Sequence, residues 1–372
     1  MILLAIFAAY SALHAYAFLK TRAALRLHDS TAALLALFMA GMVFAPNLVR
    51  VLEKGGYGLP ARFLAAIGYG WMGLLFLFVL LHLTADLLRL SARRFAPAFC
   101  RKTVPRTRFF VVLSLALALF LYGLYEAGDI RLRHISLRTP GIPEAAGRLR
   151  IVHMTDVHLN LIHPQAHIEK IAELITEANP DILVSTGDLV DGQMGCLSRW
   201  LEPLRAIEPR LGKYAVTGNH EFLSGLGHAL ELTEKAGFTV LRNESVTILE
   251  AIAIAGVDDP AVRGPDPHGA VSERDVLSDL PEDVFVLLLK HRPVVEQGSP
   301  GLFDLQLSGH THGGQIFPLH LAARLFFPRG PGLHVLSGRS SLYIGPGAGA
   351  CGPPIRILSP PVITVIDLVH EA

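Results

Sequence analysis

Four apolar runs fill the first third of the chain, at about Met1–Leu19, Thr31–Leu52, Phe63–Ala85 and Phe109–Tyr125, with polar, arginine-rich links between them. Each is near the roughly 20 residues that a helix needs to cross the hydrocarbon core of a bilayer. Inside lipid every backbone N–H and C=O must find its partner within the segment, which confines such runs to helices. An all-α four-helix transmembrane region is therefore expected over residues 1–126. The competing reading, a buried soluble bundle, is disfavoured by the run lengths and by the small residues within them. These runs account for a composition of 51% hydrophobic and only 17% charged residues, well outside the usual soluble balance.

The first run has no basic segment ahead of it, so it reads as an uncleaved anchor, although Ala15-Tyr16-Ala17 resembles a cleavage triplet. Lys20, Arg22 and Arg26 follow it, and Arg89, Arg93, Arg94, Arg101, Lys102, Arg106 and Arg108 follow the third run. These two links share a side and outweigh Arg50, Lys54 and Arg62 in the second link. The positive-inside rule then places both termini outside the cytoplasm, with Arg131, Arg133 and Arg138 pulling the other way. The expectation is a multi-pass cell-membrane protein whose second half is extracytoplasmic. His14 and His82, the latter one turn before Asp86, are ionisable groups within the runs. Near an interface, snorkelling or a structural hydrogen bond accounts for them, and no activity is placed there.

A net charge of +1 and the lack of any zinc-finger, basic-zipper or RNP-like pattern give no expectation of nucleic-acid binding. The cysteines, at 100, 196 and 351, form no metal-spaced set, and a Cys196–Cys351 disulfide is left open. Residues 127–148 read as a linker, with the turn-rich Thr139–Gly147 segment TPGIPEAAG at its end. From about Leu149 the texture changes to short apolar strands alternating with amphipathic helices, an α/β pattern over residues 149–372. Strands are expected at Leu149–Met154, Ile182–Thr186, Tyr214–Val216, Ile252–Ala255, Val284–Leu289 and Leu305–Leu307, and helices at His167–Ala178 and Gly227–Ala236.

Polar motifs sit just beyond these strands' C-terminal ends, where open α/β sheets place their sites. The first is Asp156-Val157-His158, whose carboxylate and imidazole at i and i+2 suit one ion. The second is Gly187-Asp188-Leu189-Val190-Asp191, in which Asp188 either bridges two ions or closes an Asx turn. The third, Gly218-Asn219-His220-Glu221, offers an amide oxygen with a proton-transfer imidazole beside it. His291 ends a strand as the fourth. The fifth is Gly309-His310-Thr311-His312-Gly313-Gly314, whose two imidazoles, if extended, point the same way into one cluster. Mixed nitrogen and oxygen donors without thiolate suit manganese, iron or zinc. Seven ligands are too many for one tetrahedral ion and fit two ions with a shared bridge.

This ordered set resembles the calcineurin-like metallophosphoesterases, over roughly Leu149 to Leu368, and the tails Gly256-Val257-Asp258-Asp259-Pro260 and Gly313-Gly314-Gln315-Ile316 resemble its bacterial membrane-associated phosphodiesterase branch. The resemblance implies an α/β two-sheet sandwich flanked by helices. It implies one divalent metal ion on Asp156, His158, Asp188 and His312 and a second on Asp188, Asn219, His291 and His310. It further implies that His220 faces substrate as the acid, that Asp191 orients it, and that the nucleophile is a metal-activated hydroxide. Many relatives carry an arginine before the glycine-rich turn, where this chain reads Tyr343-Ile344-Gly345-Pro346-Gly347. The expected activity is a membrane-anchored phosphodiesterase acting on a phosphoester substrate, lipid-linked or from the envelope. The alternatives are a broad phosphomonoesterase and a non-catalytic metal-binding sensor. His153 is expected to be packed; His163 and His167 lie close enough in sequence to the first motif to touch substrate.

Overall fold

The computed structural model describes residues 2–95, 104–142, 147–162, 165–192, 197–249, 251–261, 272–281 and 283–371. It divides into two compact units, Met1–Tyr125 with Gly352–Ile355, and Glu126–Cys351 with Arg356–Ala372.

The first unit is built on four long helices, α1 (Ile2–Leu25), α2 (Asp29–Lys54), α3 (Gly58–Phe95) and α4 (Pro105–Gly128). Among the described residues, α2, α3 and α4 are each long and apolar enough to cross a membrane, one fewer than the four runs predict. Outward-facing Leu34, Leu37 and Phe63 are about 70% exposed, a face that water would penalise and lipid would not. Some of the polar groups inside are bonded, whereas among the described residues both ring nitrogens of His82 and the Tyr10 hydroxyl are buried with no hydrogen-bond partner. His14 lies 2.9 Å from the Tyr10 carbonyl through Nδ1 and accepts from Trp71 Nε1 at 3.0 Å. Asp86 accepts from Tyr16 at 2.9 Å and Arg108 at 2.7 Å, and also pairs with Lys20. These are the structural roles that burying a polar group requires.

The second unit holds two six-stranded mixed sheets. In the first, strands β1 (Arg131–Thr139), β2 (Arg148–Met154), β3 (Ile182–Ser185), β4 (Lys213–Ala215), β5 (Thr239–Val240) and β12 (Val362–His370) run in the order β1-β12-β2-β3-β4-β5. In the second, β6 (Glu244–Ile248), β7 (Ile252–Val257), β8 (Phe285–Lys290), β9 (Leu305–Ser308), β10 (Gly332–Val335) and β11 (Ser341–Ile344) run β10-β11-β9-β8-β7-β6. Period-2 alternation decides which side chains go where. Leu149 and Ile151 of β2, Ile252 and Ile254 of β7, and Phe285, Leu287 and Leu289 of β8 meet in one buried core between the sheets. The alternate residues Val152, Met154, Leu183 and Val365 pack under α5 (Gln165–Ala178), the short α6 (Leu197–Trp200) and α7 (Glu202–Arg205), and α9 (Leu226–Lys235), which follows α8 (Asn219–Ser224), while Ala253, Ala255, Val286 and Leu288 pack against α10 (Glu273–Ser278). The expected two-sheet architecture is therefore the one observed.

The six predicted strands are present with ends shifted by one or two residues, but six more carry half of the sheets. The stretch read as a linker is partly structured: Arg131–Thr139 is β1, paired in parallel with β12 from Arg131↔Val362 to Thr139↔His370. Its exposed arginines mask it in sequence, since a charged outer face is how an edge strand avoids further pairing. Ile135 and Leu137 still pack on the inter-sheet core. A fragment starting at Leu149 loses that strand. Its Tm is expected about 4–8 °C below that of a fragment starting at Glu126, on roughly 1 kcal/mol for each of these two half-buried aliphatics lost. Equal melting of the two in a thermal scan would show that β1 adds nothing.

Parallel pairing among β2, β3 and β4, and among β7, β8 and β9, delivers their C-terminal ends to one edge of each sheet. The two edges lie over the same end of the shared core. There the motif loops converge.

Candidate metal centre

The loops are tightly wound. Asp156, His158, Asp188, His310 and His312 make up five of the eleven non-glycine residues with positive φ among the described residues, at 52°, 49°, 52°, 71° and 48°. L-residues seldom adopt this conformation, and such strain gathers where a site demands particular side-chain directions. Two glycines are required by close approach. A methyl group on Gly218 would strike Asp188 Oδ1, and one on Gly309 would strike Asp156 Oδ2.

Asp188 is central. Its Oδ1 accepts from the His220 backbone N–H at 2.8 Å. Its Oδ2 stands 3.2 Å from His291 Nε2 and 3.6 Å from His158 Nε2. Donor atoms of Asp156, His158 and Asp188 all lie within 4.8 Å of one another, and so do those of Asp188, His291 and His310. On the first side His312 Nε2 is 3.0 Å from His158 Nε2 and 3.3 Å from Asp156 Oδ1. On the second, His310 Nδ1 is 3.2 Å from His291 Nε2. The expectation that His310 and His312 point the same way does not hold: both residues have positive φ, so the turn is not extended, and it splits the pair between the two groups. The backbone braces both carboxylates, His220 N–H donating to Asp188 and His310 N–H to Asp156 at 2.9 Å, and the Thr155 hydroxyl also donates to Asp156 at 2.8 Å. His291 is oriented by its Nδ1 at 2.7 Å from the Thr186 carbonyl, leaving Nε2 for the cluster.

The donor set fits cations. Burial works against charge on the His291 and His158 rings. The carboxylates around His291, Asp188 foremost, nevertheless lift it to about 10, and Cys351, Asp191 and Asp188 lift His158 to about 9. Despite its burial, the histidines around Asp188, His291 foremost, hold it well below the usual carboxylate range. So concentrated a negative charge calls for compensating positive charge, which divalent ions supply. Asn219 adds a second sign: its Oδ1 is buried with no hydrogen-bond partner, a cost that a ligated cation removes.

Beside this cluster His220 Nδ1 lies 2.7 Å from Asp191 Oδ1. Burial alone would lower the His220 pKa, but the Asp191 hydrogen bond and Cys351 carry it up to about 12. Asp191 also lies 3.4 Å from His158 Nδ1, so one carboxylate serves both rings. His220 Nε2 points towards Cys351 Sγ at 3.6 Å.

Three residues given no role from sequence shape the site. Glu221 is buried and accepts from the N–H groups of Asp188, Leu189, Val190 and Gly218 at 2.8–3.3 Å, stapling two motif loops together. Its signal was its place in Gly218-Asn219-His220-Glu221. Arg356 is fully buried and donates to the carbonyls of Pro346, Gly349 and Ser359, bracing the glycine-rich turn from its far side. Cys351, clasped by reciprocal amide bonds with Gln315, presents a free thiol next to His158, His220 and His312. Nothing in the spacing of either residue announced this. Replacing Glu221 with Gln turns an NH2 group towards buried N–H donors. A stability loss of about 2–5 kcal/mol is expected at 1–3 kcal/mol per orphaned donor; an unchanged Tm would refute the staple.

The other histidines stand apart. His153 is buried with Nε2 2.8 Å from Thr186 Oγ1, as expected of a packed residue. His167 bonds the Ala348 carbonyl and is pushed down to about 4 by burial, which turns it away from substrate contact. Asp258 and Asp259, in one of the branch-like tails, pair with Arg242 and Arg292. His163 and Cys196, and with Cys196 the suggested disulfide, lie outside the described residues.

Comparison with known proteins places the chain in a family. The family model for calcineurin-like phosphoesterase matches residues 149–314. An uncharacterized metallophosphoesterase of Aquifex aeolicus is 35% identical over 257 residues, 69% of this chain and 98% of that protein. A zebrafish (Danio rerio) transmembrane protein with metallophosphoesterase domain is 33% identical over 273 residues, of which the chain spans 62% of the relative's length. Among solved structures, a dimetal phosphatase from Danio rerio aligns with 55% of this chain and 89% of its own at 13% identity and a TM-score of 0.36. With a bacterial relative matched almost end to end, the chain belongs to the calcineurin-like metallophosphoesterases, a family of metal-dependent phosphoester hydrolases.

Proposed function

We propose that the protein is a membrane-anchored phosphodiesterase working with two divalent ions, manganese, iron or zinc. Asp156, His158, Asp188 and His312 hold one ion, and Asp188, Asn219, His291 and His310 the other. The observation that carries this reading is the pair of ligand groups sharing Asp188, with the unpartnered Asn219 oxygen completing the second. When bound, such ions lower the pKa of water and offset charge on phosphoryl oxygens. The chain's own residues do the rest. Asp188 keeps the two groups in register through its anchored Oδ1. Asp191 fixes the His220 ring and keeps it protonated, and His220 Nε2 donates that proton to the departing alkoxide. The helices embed the chain in the cell membrane as a four-span, multi-pass anchor, with the catalytic unit outside the cytoplasm. Held at a bilayer, the site meets lipid-linked or envelope phosphodiesters at high effective concentration.

The test is hydrolysis of bis-nitrophenyl phosphate by the full chain in detergent, stripped with chelator and refilled separately with manganese, zinc or iron. Metal-restored turnover that exceeds the rate on mono-nitrophenyl phosphate supports the diesterase. Faster monoester hydrolysis would favour a broad phosphomonoesterase. No turnover with both metal equivalents bound would leave a sensor.

A further inference from the structure

Helix α11 (Leu319–Phe326) is built the wrong way round for a protein surface in water. An amphipathic surface helix normally turns its apolar stripe inward. Here no residue of the helix is buried. Leu321, Leu325 and Phe326 are 57%, 81% and 79% exposed. At 100° per residue, Leu319, Leu321, Ala322, Leu325 and Phe326 occupy one broad arc, and His320 and Arg324 occupy the narrow opposite edge. That polar edge, and not the apolar arc, lines a cavity of about 420 Å³. Exposed Phe317, just before the helix, stacks on His320 at 5.3 Å and lines the same cavity.

The cavity opens beside the ligand cluster. Thr311 and Gly313 of the two-histidine turn form part of its wall, and Phe327 packs edge-on against the His310 ring at 5.2 Å. It also collects positive charge. Arg133 of β1, Arg324 of α11 and Arg329 just after it all line it, and none forms an ion pair among the described residues. Exposed leucine and phenylalanine beside unpaired arginines complement one kind of surface: anionic headgroups above an acyl layer. A soluble partner protein would not need the chain to carry bilayer-length helices, and this chain has them.

We propose that Phe317–Phe326 is an interfacial membrane-docking element whose apolar arc enters the acyl boundary of an anionic bilayer, with Arg133, Arg324 and Arg329 taking lipid phosphates at the cavity mouth. The cavity then presents phosphoesters lying in the headgroup plane to the metal cluster. Its bearing on substrate rests on the phosphoesterase reading; its bearing on membrane contact does not.

The experiment uses the full chain in nanodiscs containing phosphatidylglycerol. Leu325→Trp reports insertion through quenching by doxyl-labelled lipid, read as the difference from the parent protein with its native Trp71 and Trp200. Shallow-labelled lipid is expected to quench the added tryptophan at least twofold, and less so when all lipids are zwitterionic. Kinetically, Leu321→Ser/Leu325→Ser/Phe326→Ser, and separately Arg324→Gln/Arg329→Gln, are expected to lower kcat/KM at least tenfold on a nitrophenyl phosphodiester of diacylglycerol. The triple serine variant should change the rate on water-soluble bis-nitrophenyl phosphate by less than twofold. An unquenched tryptophan, or equal losses on both substrates in the triple serine variant, would overturn the docking element. A parent that hydrolyses neither ester but shows the quenching would sink the phosphoesterase reading and leave the docking surface standing.

Discussion

Asp188→Asn is expected to abolish turnover, by roughly 10³-fold or more, which corresponds to about 4 kcal/mol at 1.4 kcal/mol per tenfold. The reason lies in how the two oxygens are used. Oδ1 is committed to the His220 N–H at 2.8 Å, so an asparagine keeps its own carbonyl there. The NH2 group then occupies the position between His291 and His158. It presents protons where a lone pair is needed and removes the one formal charge common to both ligand groups. Metal analysis after dialysis is expected to show loss of more than one equivalent. The bridging role would be disproved by a variant that retains both equivalents and full rate.

The second large effect concerns the proton. His220→Ala should spare metal content and slow alkyl phosphodiesters by about 10²–10⁴-fold, the usual contribution of a general acid. Nitrophenyl esters should lose far less, because their leaving group departs without a proton. Equal losses on both would argue against the assignment. Asp191→Asn refines the test through pH. With Asp191 present the ring pKa is raised to about 12, so the acid form persists through neutral pH and is lost only as pH rises through that value. Without the carboxylate, only Cys351 and the Asp188 charge still oppose burial, so the ring pKa falls from its raised value. The alkaline limb of the pH–rate profile on alkyl esters should therefore move to lower pH. An unmoved limb would show that another group supplies the proton. His158 shares Asp191 at 3.4 Å, so metal content must be followed in the same variant.

The legibility of this molecule divided along chemical lines. Asp156, His158, Asp188, Asn219, His220, His291, His310 and His312 could be picked out because strand-end motifs are local, and each shows its donors within a few residues of an apolar run. Glu221 is visible in its motif but silent in role, since three of the four backbone N–H groups that it accepts lie 31–33 residues away. Strand β1 was missed because its arginines satisfy the edge of a sheet that the local sequence cannot display. The shared direction expected of His310 and His312 fails because period-2 reasoning presumes extended backbone, whereas both residues have positive φ.

Sequence alone determined the bilayer-length apolar helices, the α/β texture, the family resemblance and the inventory of metal donors, because hydrophobic period and side-chain chemistry are properties of short segments. Tertiary structure decided the partition of those donors into two groups about Asp188, the anchoring of His220 by Asp191, and the approach of Cys351 and Arg356 from beyond residue 350. It also decided that α11 turns its leucines outward. These are relations between segments far apart in the chain, set by which sheet edges meet over the common core, and no local pattern encodes them.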